Sequence, residues 1–247
     1  MKLFNELKSF TAAVALSTSI LAGCATAGEP VEKIAGFLPD PERTAVLITD
    51  PQNDFMSDDG AAWGLVKDNV LRLGTRENID ALITTAKAAD MPVFISPHFY
   101  FGSDDHWDHR GPIQQTMHDI HMFDVKGSTS YHNYDGSGAD FYGPLKAKIL
   151  DGETVITSPH KIYGPESNDL ALQLRKRGVD TVILGGFAAN LCTDSHMREL
   201  MEQGFNVIVV KDAVGAPGEA AYDAAMLNAS MIANSVWTTA QAVDFIR

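Results

Sequence analysis

Thr181-Val182-Ile183-Leu184-Gly185-Gly186-Phe187-Ala188-Ala189-Asn190-Leu191-Cys192 opens as a β-branched apolar run, breaks at two glycines, and leads into Thr193 to Gln203, a segment with helical spacing. A second apolar run, Asn206 to Val210, follows after a short turn. Strand, helix and strand within about 30 residues make a βαβ crossover, and such crossovers build parallel sheets. Working outward, similar runs recur at Thr44 to Thr49, Pro92 to Ser96, Thr154 to Ile156 and Ser235 to Thr238. Amphipathic segments lie between them at Arg76 to Ala89, Asn168 to Arg177 and Glu219 to Ala233. Continuous apolar runs are strands buried on both faces, so the body reads as one α/β domain with helices on either side of a parallel sheet.

The exception is Pro97 to Tyr142, which shows little period of either kind; a connection that long is usually functional or disordered. No Gly/Ser linker or fixed-period repeat divides the body, and 247 residues with 45% hydrophobic positions suffice for one large core. The net charge of −13 disfavours nucleic acid and anionic lipid surfaces as partners.

The first 23 residues read as an export signal. Lys2 and Lys8 precede a mostly apolar stretch from Phe10 to Leu21, too short for the roughly 20 residues of a membrane-crossing helix. Leu21-Ala22-Gly23-Cys24 resembles the bacterial lipobox, which implies removal of residues 1–23, lipidation of Cys24 and anchoring in the periplasm of the cell envelope. Cleavage after Ala25-Thr26-Ala27, releasing a soluble periplasmic or secreted protein, is the alternative. Residues 24–43, rich in Pro, Gly and charge, then form a tether and lead-in, and residues 44–247 the domain. With Cys24 modified, Cys192 has no second cysteine in the chain to pair with, and a free thiol kept in an oxidising compartment calls for a chemical explanation.

Parallel α/β sheets bind ligands at the carboxyl ends of their strands. Those ends carry Asp50-Pro51-Gln52-Asn53-Asp54-Phe55, Ser158-Pro159-His160-Lys161, and Gly185-Gly186-Phe187-Ala188-Ala189-Asn190-Leu191-Cys192. An Asp-x-Gln-Asn-Asp-Phe strand end, a mid-chain lysine after the third strand, and Gly-Gly-x-Ala-x-x-x-Cys opening a helix together resemble the isochorismatase-like cysteine hydrolases, over about residues 44 to 240. The resemblance implies a three-layer α/β/α sandwich with a six-stranded parallel, Rossmann-like sheet, a catalytic trio of Asp50, Lys161 and Cys192, a cis peptide at Phe187-Ala188, and a homo-oligomer.

The chemistry can be reasoned independently. A thiol with an ordinary pKa of about 8.5 needs activation, which a helix amino terminus and the cation of Lys161 would supply to Cys192. Asp50 would take the thiol proton and pass it to the leaving nitrogen. The backbone amides of Ala188 and Cys192 would receive the oxyanion. Phe55, Trp63, Phe99, Tyr100, Trp107, Tyr163 and Phe187 are aromatic candidates for an apolar pocket, with Phe55, Trp63, Tyr163 and Phe187 taken as substrate-binding. Asp54 is read as structural, and Gly185-Gly186 as close packing, since neither nucleotide fingerprint is met.

His98, His106, His109, His118, His121 and His132 cluster in the long connection, and His118-x-x-His121 would share a face if helical. No strict zinc spacing appears. Nicotinamidases of the family carry Asp-x-His after the second strand, where this chain has Ser96-Pro97-His98-Phe99-Tyr100. The expectation is therefore no metal, no cofactor, and a small-molecule amide or carbamoyl substrate cleaved through a Cys192 thioester. Vinyl-ether hydrolysis and a non-catalytic, lipid-anchored binding protein are the alternatives. A redox thiol is disfavoured by the lack of a resolving cysteine.

Overall fold

Residues 37–125 and 133–247 are described by the computed structural model. Cys24, the lipobox and His132 fall outside them. The elements run β1 (Thr44–Thr49), α1 (Asn53–Met56), α2 (Trp63–Leu73), α3 (Thr75–Ala88), β2 (Val93–Ser96), β3 (Tyr100–Phe101), α4 (Pro112–Asp119), β4 (Asp124–Val125), α5 (Gly143–Ile149), β5 (Val155–Ile156), α6 (Leu170–Lys176), β6 (Thr181–Gly186), α7 (Asp194–Glu202), β7 (Asn206–Val214), α8 (Glu219–Ile232), β8 (Ser235–Trp237) and α9 (Thr239–Ile246). A π-helical turn, Ala189–Thr193, joins β6 to α7.

Six strands form one sheet in the order β5-β2-β1-β6-β7-β8, every pair parallel. β1 and β6 lie at its centre and are buried at every residue, as their unbroken apolar runs require. Alternation along β1 sends Val46 and Ile48 into a core shared with α2, α3, α5 and α9, and Ala45 and Leu47 into one shared with α6, α7 and α8. The result is a three-layer α/β/α sandwich.

β6 and β7 extend past Leu184 and Val210, where glycines and Lys211-Asp212 had read as strand ends. Gly186 remains paired with Val214 across a register shift. Its φ is +113°, and a Cβ there would stand 2.0 Å from the Thr49 carbonyl oxygen, so this close approach of β1 and β6 needs glycine.

The connection from Pro97 to Tyr142 is more ordered than its sequence suggested. It contains α4 and a second, two-stranded parallel sheet of β3 and β4. One buried side chain holds both ends: Gln52 Nε2 donates to the carbonyls of His98 (2.7 Å) and Ala139 (2.6 Å), while Gln52 Oε1 accepts from His98 N (2.8 Å). Asp54 has the structural role expected of it, accepting from the amides of Ala61 (3.0 Å) and Phe123 (2.6 Å). His118 lies on α4 bonded to Asp105, whereas His121 sits beyond the helix at φ +56° bonded to Asp124, so the two histidines share no face. Among the described residues, no helix is long and apolar enough to cross a membrane.

Candidate active site

The carboxyl ends of four neighbouring strands deliver four side chains to one place. Asp50 follows β1, His98 follows β2, His160 lies beyond β5, and Cys192 sits in the π-helical turn after β6. One donor atom from each lies within 4.8 Å of all the others. Asp50, His98 and His160 are wholly buried and Cys192 is 4% exposed, so bulk water screens none of these interactions. Asp50 holds its position at φ +49°, unusual for a residue with a Cβ, and His160 Nε2 donates to its Oδ1 at 2.8 Å.

Asp50 and Cys192 thus come together, while Lys161 does not join them. Its Nζ donates to Asp104 Oδ2 (2.6 Å) and the Phe99 carbonyl (3.0 Å) and stands 4.3 Å from the centre of the Phe101 ring. The place beside Asp50 belongs to the lysine's predecessor, His160. An isolated parallel bridge between His98 and His160 continues the β2–β5 pairing outward. Alternation along such an extended segment turns His160 inward and Lys161 outward.

The lysine expected to activate the thiol is engaged by Asp104 instead. Burial, reinforced by the charge of Asp50, pushes the Cys192 thiol well above the usual range, and the amides of Ala188 and Cys192 only partly oppose it. These surroundings favour the thiol over the thiolate, with a carboxylate base beside it. Those amides are the two expected to form an oxyanion hole, and the peptide between Phe187 and Ala188 is cis.

Two further histidines back the group. Burial, with the charges of His160 and Lys161 nearby, holds His98 far below the ordinary histidine range, and burial beside His160 does the same to His196. His196 Nδ1 donates to the Cys192 carbonyl at 2.7 Å, leaving its Nε2 to accept from Ser96 Oγ at 2.8 Å. The rings of His98, His160 and His196 stack in a row at centroid spacings of 4.7 and 4.9 Å. Sequence reasoning assigned none of these three a site role. The available signals were the place of His98 two residues past β2, the place of His160 at a strand end, and the spacing Cys192-x-x-x-His196, which puts both on one helical face.

Cys192 forms part of the wall of a cavity of about 90 Å³ that presents no polar surface. Phe55, Met117, Phe123, Tyr163 and Leu191 are among its other walls. Of the four expected substrate contacts, Phe55 and Tyr163 line it. Phe187 stands behind, stacked on Phe55 with ring centroids 5.0 Å apart, and Trp63 instead packs under the guanidinium of Arg76 at 3.9 Å. Wider surface concavities, such as one of about 440 Å³ beside Tyr163 and Arg198, do not reach the sulfur.

The model for the isochorismatase domain matches residues 44–241, nearly the whole described body. The chain belongs to the isochorismatase family of hydrolases. Within the family it is 46% identical over 72 residues to the uncharacterised protein YecD of Escherichia coli O157:H7, covering 29% of this chain and 37% of that one. Thus the matched segment spans less than half the length of that relative. A longer match, 26% identical over 206 residues, covers 76% of this chain and 80% of the ureidoacrylate amidohydrolase RutB of Klebsiella pneumoniae. In fold it is similar to a cysteine hydrolase of Pseudomonas syringae pv. phaseolicola, with a TM-score of 0.68 and 23% identity over 90% of this chain and 98% of that one.

Proposed function

We propose that this family member hydrolyses the carbon–nitrogen bond of a small amide or carbamoyl compound through a Cys192 thioester. The observation that carries the reading is the placement of a buried thiol beside the Asp50 carboxylate, with two backbone amides directed at it, in the wall of an apolar cavity. The similarity to a ureidoacrylate amidohydrolase supports the bond class.

Because burial favours the protonated thiol, attack and proton transfer occur together. Sulfur adds to the substrate carbonyl as its proton passes to Asp50, whose other oxygen is steadied by His160. The amides of Ala188 and Cys192 receive the oxyanion. Asp50 returns the proton to the nitrogen as the C–N bond breaks, releasing amine and leaving the thioester. Water, deprotonated by Asp50, then hydrolyses the thioester and restores the thiol. His160 acts on Asp50, whereas Lys161 was expected to act on the Cys192 sulfur. Among the described residues no basic side chain lines the cavity, so a substrate with an uncharged acyl group fits it better than a ureido acid, whose carboxylate would find no partner among them.

The test is ammonia release by the full chain across small primary amides, ureas and carbamoyl amino acids, with Cys192→Ala in parallel. Turnover by the wild type alone is expected, strongest on uncharged amides; equal inactivity of both proteins would transfer the reading to a vinyl ether or to a binding role. Export, lipidation at Cys24 and homo-oligomerisation belong to the same proposal. Metabolic labelling with a fatty acid, lost in Cys24→Ala, and sedimentation of the purified protein test them.

A further inference from the structure

We propose that Asp50, His98, His160 and Cys192 also form a closed binding site for a zinc-type divalent cation. The four donors, one oxygen, two nitrogens and one sulfur, lie within 4.8 Å of one another. A tetrahedral ion with bonds of about 2.0 to 2.3 Å needs its ligands roughly 3.3 to 3.8 Å apart, a contraction of about 1 Å that side-chain rotation can provide.

A second, independent observation points to a ligand. Both ring nitrogens of His98, Nδ1 of His160 and Oδ2 of Asp50 are buried without a hydrogen-bond partner. Buried polar atoms are nearly always paired, and four unpaired ones on three of the four converging residues describe a place that a charged species would satisfy. Charge specifies the species: one carboxylate and one thiolate carry −2 between them, and two neutral imidazoles add lone pairs without charge. A divalent cation balances the set.

Donor type narrows the choice, since thiolate and imidazole select zinc over magnesium or calcium, which prefer oxygen. Lys161, the cation that would compete for this position, is engaged by Asp104. Binding exchanges the thiol proton for the metal: the S–H bond breaks, the proton leaves to solvent, and the sulfur lone pair forms the S–metal bond. With four protein donors the shell is full, so the bound form has its nucleophile occupied and the free form is the active one. That last consequence rests on the hydrolase reading; the site itself does not.

The experiment is a cobalt(II) titration of the full chain after chelator treatment. One equivalent should bind, giving the strong visible bands of a four-coordinate ion and a near-ultraviolet sulfur-to-cobalt charge-transfer band, both abolished by zinc. Cys192→Ser should lose the charge-transfer band. His98→Ala should weaken cobalt binding by more than about 100-fold, beyond what loss of an outer-shell partner produces, with circular dichroism confirming that it folds. A wild-type protein with no charge-transfer band in excess cobalt overturns the proposal, as does unchanged affinity in folded His98→Ala. A cobalt-binding protein whose metal-free form turns over no amide keeps the metal site and removes the hydrolase reading; amide turnover without the band does the reverse.

Discussion

His160 Nε2 donates to Asp50 Oδ1 across 2.8 Å, and both side chains are fully buried. The pair ties the strand end after β5 to the one after β1 and determines which carboxylate oxygen is left to face Cys192. Removing the imidazole would leave a buried carboxylate without its partner. His160→Ala should therefore lose about 3 to 5 kcal/mol of stability in urea unfolding and lower kcat/KM by at least about 100-fold. His160→Gln, which keeps a donor near that position, should recover much of the stability and less of the turnover. Equal activity in all three proteins would remove His160 from the mechanism.

Lys161→Met separates the lysine first expected in the site from the histidine found there. The ion pair with Asp104 is partly exposed, so its loss should cost at most about 1 kcal/mol. The rate at which iodoacetamide alkylates Cys192 should stay within about twofold of wild type, because the ammonium does not set the state of the sulfur. A fall of tenfold or more would return Lys161 to the catalytic group.

The alkylation rate of wild-type Cys192 should climb with pH from 7 to 10 at close to tenfold per pH unit, without a plateau below the ordinary thiol range, since burial and Asp50 raise its pKa. The linked effect on stability has a fixed sign. A thiol whose pKa is higher folded than unfolded binds its proton more tightly in the native state, so its contribution is complete below the unfolded thiol pKa of about 8.5 and is lost as pH rises toward the folded value. A plateau of alkylation near pH 7 would mean a standing thiolate.

Gly186→Ala should destabilise by about 3 kcal/mol or more, because it combines φ +113° with a Cβ 2.0 Å from the Thr49 carbonyl. Gly178, at φ +73° with open space around its Cβ position, is the control, and Gly178→Ala should cost about 1 kcal/mol. Similar losses at the two positions in chemical denaturation would contradict the close approach of β1 and β6.

The sheet was legible because each strand is an unbroken apolar run, and runs such as Thr44 to Thr49 have one reading when both faces are covered. Helices were legible where one stripe is apolar, as in Arg76 to Ala89. α2 escaped because Gly64 and Asn69 interrupt its stripe; Asn69 is buried for its hydrogen bonds to Glu219 and the Ala216 amide. α5 is a single short stretch whose two core residues, Leu145 and Ile149, give too little period to read. In the site, Asp50 and Cys192 stood out by motif, but the choice between adjacent His160 and Lys161 depended on which side of an extended segment faces inward. A strand as short as Val155–Ile156 carries too little alternation to decide that. His98 carried only the signal of its place two residues past β2, and its membership of the site depends on convergence with three other strand ends.

Gln52 has an implication for how this scaffold diversifies. Since one side chain clasps the chain at His98 and again at Ala139, the excursion between them is fastened at its base, and the strand ends do not sense its length. The entropy of closing such a loop grows only slowly with added residues, so insertions there are thermodynamically inexpensive. The excursion supplies Met117 and Phe123 to the cavity wall but neither Asp50 nor Cys192. The molecule is thus divided into a strand-end engine and a loop cassette, and transplanting the cassette from one relative to another should move substrate preference while leaving the bond-breaking apparatus in place.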